Sequence, residues 1–102
     1  MLDVSVVRLQ AIPKAGSDAA SEFGGAMINV WLALLPREDP TLRARQEVDG
    51  SGWHVVDVEA VTFIERQQIE DPSDLELFEQ CLVDKIVMVF HVWPLSAGGA
   101  SH

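Results

Sequence analysis

The sequence lacks several features that define large classes of proteins. It has a single cysteine, Cys81, so no disulfide can form within the chain, and we expect a reducing compartment, the cytoplasm. The first residues, Met1-Leu2-Asp3, lack the basic segment of a signal peptide. The longest strongly apolar stretch, residues 26–35, is about half as long as the roughly 20 residues that a membrane span needs. We therefore expect no membrane-spanning segment.

Positive charge is scarce. Seven basic residues face sixteen acidic ones, and the net charge is −9. Such a charge repels phosphate backbones and anionic lipids, so we expect neither a nucleic-acid nor a membrane partner. Residues 67–84 carry six carboxylates and no base, whereas Arg37, Arg43 and Arg45 lie close together. The pattern is typical of solvated surfaces, and it leaves open a basic protein partner or self-association through the two patches.

Motifs for metal, phosphate or nucleophile chemistry are missing as well. No HxH, HxxxH or CxxC spacing occurs, so we expect no metal site. Gly24-Gly25 precedes a predicted strand, whereas a phosphate-binding loop leads into a helix. There is no GxSxG motif. We predict no cofactor and assign no catalytic residue.

The chain alternates between strand-like and helix-like segments. Four segments rich in apolar and β-branched residues are predicted as strands: residues 2–12, 27–35, 55–62 and 86–93. Arg8 and Gln10 interrupt the first, so we place it at a sheet edge. Two segments are predicted as helices: residues 40–48, capped by Asp39, and residues 73–84, with a capping box of Ser73 and Glu76. Residues 14–25 are predicted as a loop with one helical turn.

These elements predict a single α+β domain over residues 1–94, followed by a disordered tail over residues 95–102. The expected architecture is a two-layer sandwich, with a four-stranded sheet and both helices on one face. The order of strands and helices resembles that of ferredoxin-like folds, some of which are small proteins that dimerise sheet to sheet. This resemblance is one of layout and implies no particular activity.

Side chains alternate across a strand, so residue parity predicts two different sheet faces. The even face is almost wholly aliphatic and is expected to receive both helices; it holds Ile28, Val30, Leu32, Leu34, Val56, Val58, Ala60, Thr62, Ile86, Met88, Phe90 and Val92. The odd face mixes aromatic and polar residues, among them Asn29, Trp31, Asp57, Glu59, His91 and Trp93. Because two short helices cannot cover both faces, we expect a second subunit, residues 14–25 or a ligand on the odd face. Its six named residues are the predicted interface or pocket.

His91 is the main candidate for chemistry. If the strands of residues 55–62 and 86–93 are adjacent, Asp57 or Glu59 lies within cross-strand reach and could orient the imidazole as a base. We favour a structural hydrogen bond, because nothing else supplies a nucleophile or an oxyanion hole. Cys81 lies on the apolar stripe of the second helix with acidic neighbours, which predicts a core residue.

Two functions fit these observations. The first is a non-enzymatic interaction or accessory module that forms a homodimer through the face of Trp31 and Trp93. The alternative is a small enzyme or ligand-binding module with a pocket on the face of Trp31, His91 and Trp93.

Overall fold

A computed structural model describes residues 2–95 of the chain. It contains four strands and two α-helices: β1 (Asp3–Pro13), β2 (Phe23–Leu34), α1 (Pro40–Gly50), β3 (Trp53–Ile64), α2 (Pro72–Asp84) and β4 (Ile86–Pro94). The strands form one antiparallel sheet in the order β3-β1-β2-β4. The predicted α+β class is confirmed. The predicted disordered tail, apart from Leu95, lies outside the described residues.

The position of β1 corrects the expectation of an edge strand. β1 pairs with β2 on one side and with β3 on the other, so it is central. Arg8 and Gln10 remain accessible because their side chains project from a part of the sheet that no helix covers. The polar side chains of β1 therefore indicate a sheet face that no helix of the described residues covers. They do not indicate an edge strand.

Both helices begin at an aspartate cap followed by proline. The Asp39 carboxylate accepts a hydrogen bond from the Thr41 backbone N–H at 2.9 Å, as the sequence predicts. In α2 the cap is Asp71, which accepts from the Ser73 N–H at 2.8 Å. The predicted capping box of Ser73 and Glu76 is wrong, because the proline after Asp71 already occupies the first helical position.

The two helices pack on opposite faces of the sheet. α1 buries Ala44 and Val48 against one face, while α2 buries Phe78 and Cys81 against the other. The prediction of both helices on one face is therefore wrong, and the strand order is not that of a ferredoxin-like fold. We call the two surfaces the α1 face and the α2 face. Within residues 2–95 no helix is long and apolar enough to cross a membrane.

The α1 face holds the larger core. The even residues of β2 and β4 lie here, as residue parity predicts. Trp53 stacks with Phe23 at 6.5 Å and reaches Phe90 at 5.5 Å, each measured between ring centroids. Ala11 and Ala26, both fully buried, pair with each other on the two central strands in this core. Their small side chains leave room for the Trp53 indole of the edge strand β3 to contact the Phe90 ring of the other edge strand, β4.

β3 does not follow simple parity. Its register against β1 shifts twice, between Arg8 and Leu9 and between Gln10 and Ala11. Each shift is an irregularity of the bulge type, and an extra residue in a strand exchanges the faces of everything beyond it. Val55 and Val58 therefore both pack in the α1 core, and the predicted even set of β3 is split between the faces.

Candidate functional site

α2 covers only one end of the α2 face. Val4, Trp31 and Ala33 are buried there with Phe78 and Cys81. At the other end no helix of the described residues covers the sheet, and the side chains there are exposed or half-buried. We call this surface the open half; it comprises Arg8, Gln10, Ile12, Met27, Asp57, His91 and Trp93.

His91 lies on the opposite edge strand from Asp57 and Glu59, the two carboxylates predicted as its partners. His91 pairs with Met27, Met27 with Gln10, and Gln10 with Asp57. Three interstrand steps of ~4.8 Å place the two ends of this row about 14 Å apart. Glu59 instead faces Arg8, with 3.9 Å between the carboxylate and the guanidinium. The predicted pairing of His91 with Asp57 or Glu59 is wrong, because β3 and β4 are opposite edges of the sheet.

Trp31 and Trp93 lie at different ends of the α2 face. Trp31 is 6% exposed beside α2. Trp93 is 38% exposed and lies over Gly25, where an added Cβ would come within 2.5 Å of the indole. Glycine at this position lets the tryptophan lie flat on the sheet.

A cleft of about 400 Å³ lies where α2 meets the open half. Trp31 and Leu77 contribute to its apolar lining, and its polar lining consists of Asn29, Thr62, Asp74 and His91. None of these four polar side chains makes a hydrogen bond or ion pair with another residue in the described part of the chain. Several unengaged polar groups therefore converge on one concave site.

The cleft gathers three of the six residues that the sequence singled out: Asn29, Trp31 and His91. Asp57, Glu59 and Trp93 do not line it. Sequence reasoning missed two of its polar residues. Thr62 was assigned to the other face, because parity cannot detect the irregular register of β3. Asp74 carried no signal beyond its place in a helix.

A larger cavity of about 670 Å³ lies at the covered end of the sheet. Phe63, Phe78 and Leu82 contribute to its apolar lining. The Arg66 guanidinium lies 5.5 Å from the centroid of the Phe78 ring and pairs with Glu79. Arg66, the one cation among the described residues of this lining, is thus already engaged by an aromatic face and a carboxylate.

Cys81 is fully buried on the side of α2 that faces the sheet. This burial raises the pKa of its thiol to about 11, although nearby Lys85 acts in the opposite direction. The thiolate, which is the reactive form, is therefore scarce at neutral pH. The location agrees with the predicted core role.

No strand among residues 2–95 pairs with the outer edge of β4. The Ala33 N–H donates to the Lys85 carbonyl at 2.9 Å, so by alternation the odd residues of β4 bond to β2. The even residues point their N–H and C=O groups away from the sheet: Ile86, Met88, Phe90 and Val92. β4 contains no charged residue, and its pairing with β2 is regular from Leu32 to Gly25.

The opposite edge is different. β3 carries two register irregularities together with Asp57 and Glu59. Bulges and charges are devices by which proteins prevent edge strands from pairing with other chains. The sheet is therefore protected at β3 and open to pairing at β4.

The basic patch predicted from Arg37, Arg43 and Arg45 is partly neutralised. The Arg43 guanidinium lies 3.0 Å from the Glu47 carboxylate and 4.0 Å from that of Glu38. Among residues 2–95, no group of three or more histidine, cysteine and acidic side chains is placed to hold a metal ion. The chain matches no family model, no curated protein and no solved structure.

Proposed function

We propose that the protein is a non-enzymatic interaction module that acts as a homodimer joined through β4. The observation that carries this proposal is the contrast between the two sheet edges. β4 offers an unbroken, uncharged row of free backbone groups, whereas β3 is irregular and carries carboxylates. A second antiparallel strand satisfies such a row directly.

The outward-pointing backbone groups of β4 also indicate the register in which two β4 strands would pair. Hydrogen-bonded pairs in an antiparallel ladder must join outward-pointing residues, which here are the even ones. A two-fold axis at Val89 pairs Ile86 with Val92 of the second copy, and Met88 with Phe90. This register engages all four outward-pointing residues of each strand.

A second copy is the best occupant because β4 is complementary to itself. The register pairs apolar residues on the α1 face, and Val89 with its own copy on the α2 face. Each chain has a net charge of −9, which opposes association, yet no charge lies on the strand that forms the seam. Cross-strand apolar pairs contribute roughly 0.2–1 kcal/mol each.

The dimer also indicates what the module would bind. A two-fold axis perpendicular to the sheet places both α2 helices on the same side. Residues 67–84 carry six carboxylates and no base, so this side of the dimer presents two acidic surfaces. A basic protein is the partner that such a pair of surfaces would attract.

The edge is tested with a matched pair of lysine substitutions. Val92, 42% exposed on β4, and Val56, 53% exposed on β3, are each replaced by lysine. Both variants gain the same charge, but only Val92→Lys places it in the seam. We expect sedimentation to show wild type and Val56→Lys at twice the 11.2 kDa chain mass. Val92→Lys should dissociate at least about tenfold more readily, equivalent to about 1.4 kcal/mol.

The register is tested by a cysteine at the two-fold axis. Directly opposed residues of a non-hydrogen-bonded pair have Cα atoms about 4.5 Å apart, within the range of roughly 4.4–6.8 Å that a disulfide spans. Val89→Cys should therefore form a covalent dimer under mild oxidation, whereas Val56→Cys should not at the same dilute concentration. Monomeric wild type across micromolar concentrations, together with no cross-linking of Val89→Cys, would refute the proposed function.

A further inference from the structure

We propose that the cleft between α2 and the open half is a binding site for a small organic cation, an amine carried on an apolar body. The cleft is formed within one chain, so this inference does not require the dimer, although Val89 and His91 of its lining belong to the strand of the proposed seam. Its volume of about 400 Å³ falls in the range of known small-molecule sites, roughly 300–1,000 Å³.

The apolar part of the ligand is indicated by the lining. Trp31 contributes an indole, and Leu77 of α2 and Val89 of β4 contribute aliphatic side chains. Trp31 is held in place by burial with Phe78 and Cys81, so its position is fixed before a ligand arrives. A rigid apolar surface of this kind suits a flat or branched hydrocarbon group.

The charge of the ligand is indicated by Asp74. Among the described residues that line the cleft, it is the only acidic or basic side chain other than His91. Asp74 makes no ion pair among the described residues, and Arg8 on the adjoining sheet surface lies 3.9 Å from Glu59. Asp74 therefore keeps its negative charge available, and it lies in a helix that is itself acidic. An ammonium group is attracted to this rim, while a carboxylate or phosphate is repelled.

The remaining polar groups of the lining can orient a ligand in the cleft. The amide of Asn29 and the hydroxyl of Thr62 can each donate or accept a hydrogen bond. His91, at the open end, can do the same when neutral. With the ammonium at Asp74, these groups can hold polar substituents on the ligand, which explains why they converge here without partners among the described residues.

The test uses two probes that differ only in charge. Phenethylamine and 3-phenylpropionate carry the same ring on the same two-carbon spacer. Nuclear magnetic resonance follows the Trp31 indole N–H and the Asn29 side-chain amide during titration of each probe into the whole protein. We expect saturable shifts with the amine and none of comparable size with the acid.

A matched pair of variants locates the charge. Asp74→Asn should weaken amine binding at least about tenfold, whereas Glu76→Gln, which removes an acid from the outer surface of the same helix, should leave it unchanged. The α2 cap is Asp71 and not Asp74, so Asp74→Asn should keep its dispersed spectrum. Equal responses to both probes, no response to the amine, or an unchanged affinity in Asp74→Asn would each overturn the assignment. The same titration on Val92→Lys should give the wild-type affinity for the amine. A result that refutes the homodimer can therefore be distinguished from a result that refutes amine binding in the cleft.

Discussion

The placement of the two helices on opposite faces can be tested by a double-mutant cycle. Val48 of α1 is fully buried in the core on the α1 face, and Phe78 of α2 is 7% exposed in the separate core on the α2 face. The sheet lies between them. Two helices packed side by side on one face would share neighbours, but helices on opposite faces do not.

The single substitutions have effects that follow from burial. Val48→Ala removes two methyl groups from a buried site and should destabilise the protein by about 2 kcal/mol. Phe78→Leu keeps most of the apolar volume and should cost about 1–2 kcal/mol. A domain of this length has a total stability of roughly 5–15 kcal/mol, so the double variant should still fold.

The informative quantity is the coupling between the two substitutions. Because the residues share no neighbours, their free energies of unfolding should add within ~0.5 kcal/mol, whereas contacting residues couple by roughly 0.5–3 kcal/mol. Urea denaturation followed by circular dichroism measures all four corners of the cycle. A coupling above about 1 kcal/mol would place the two helices in one core and would refute the two-faced arrangement.

Two further outcomes follow from buried or crowded groups. Burial raises the pKa of the Cys81 thiol from 9.0 to about 11, so the unfolded chain ionises first as pH rises. The contribution of this group is full below pH ~9 and is lost towards pH ~11, by about 1.4 kcal/mol at pH 10; urea denaturation at neutral and alkaline pH should show a larger loss in wild type than in Cys81→Ala. Gly25→Ala should displace Trp93, because the new Cβ would lie 2.5 Å from its ring; an unchanged Trp93 indole resonance would contradict this geometry.

The elements of the fold could be predicted from local patterns, but their arrangement could not. Residues 73–84 repeat apolar side chains at helical spacing, and α2 spans Pro72–Asp84. Residues 86–93 are apolar except for His91, and β4 spans Ile86–Pro94. Strand order depends on contacts between distant segments, and no local pattern records it. The central position of β1 was therefore missed.

The sequence also did not show on which face of the sheet α2 packs. The sequence offered an aliphatic even face, and the simplest expectation placed both helices there. Trp53 helps to fill that face from the edge strand β3, and the odd residues Trp31 and Ala33 supply a second apolar site for α2. The α2 face is apolar at one end and polar at the other. The composition of its strands alone does not show where the apolar part ends.

The candidate cleft illustrates the same limit. Asn29, Trp31 and His91 belong to one face by parity, and this part of the prediction holds because β2 and β4 pair regularly between Leu32 and Gly25. Asp74 joins them only because α2 lies on that face. A site built from a strand and a helix needs the packing between them, which one sequence does not show.

The meaning of the β4 sequence depends on its position in the sheet. A continuously apolar, uncharged strand is expected at the centre of a sheet, where neighbours cover it on both sides. The segment Ile86–Pro94 has this composition except for His91, yet among the described residues it lies at an edge with one neighbour. β1, with Arg8 among its residues, occupies the centre instead. An edge strand with the composition of a central strand is satisfied when another strand pairs with it. This mismatch between composition and position, more than the total apolar area, is the reason to look for the partner at β4.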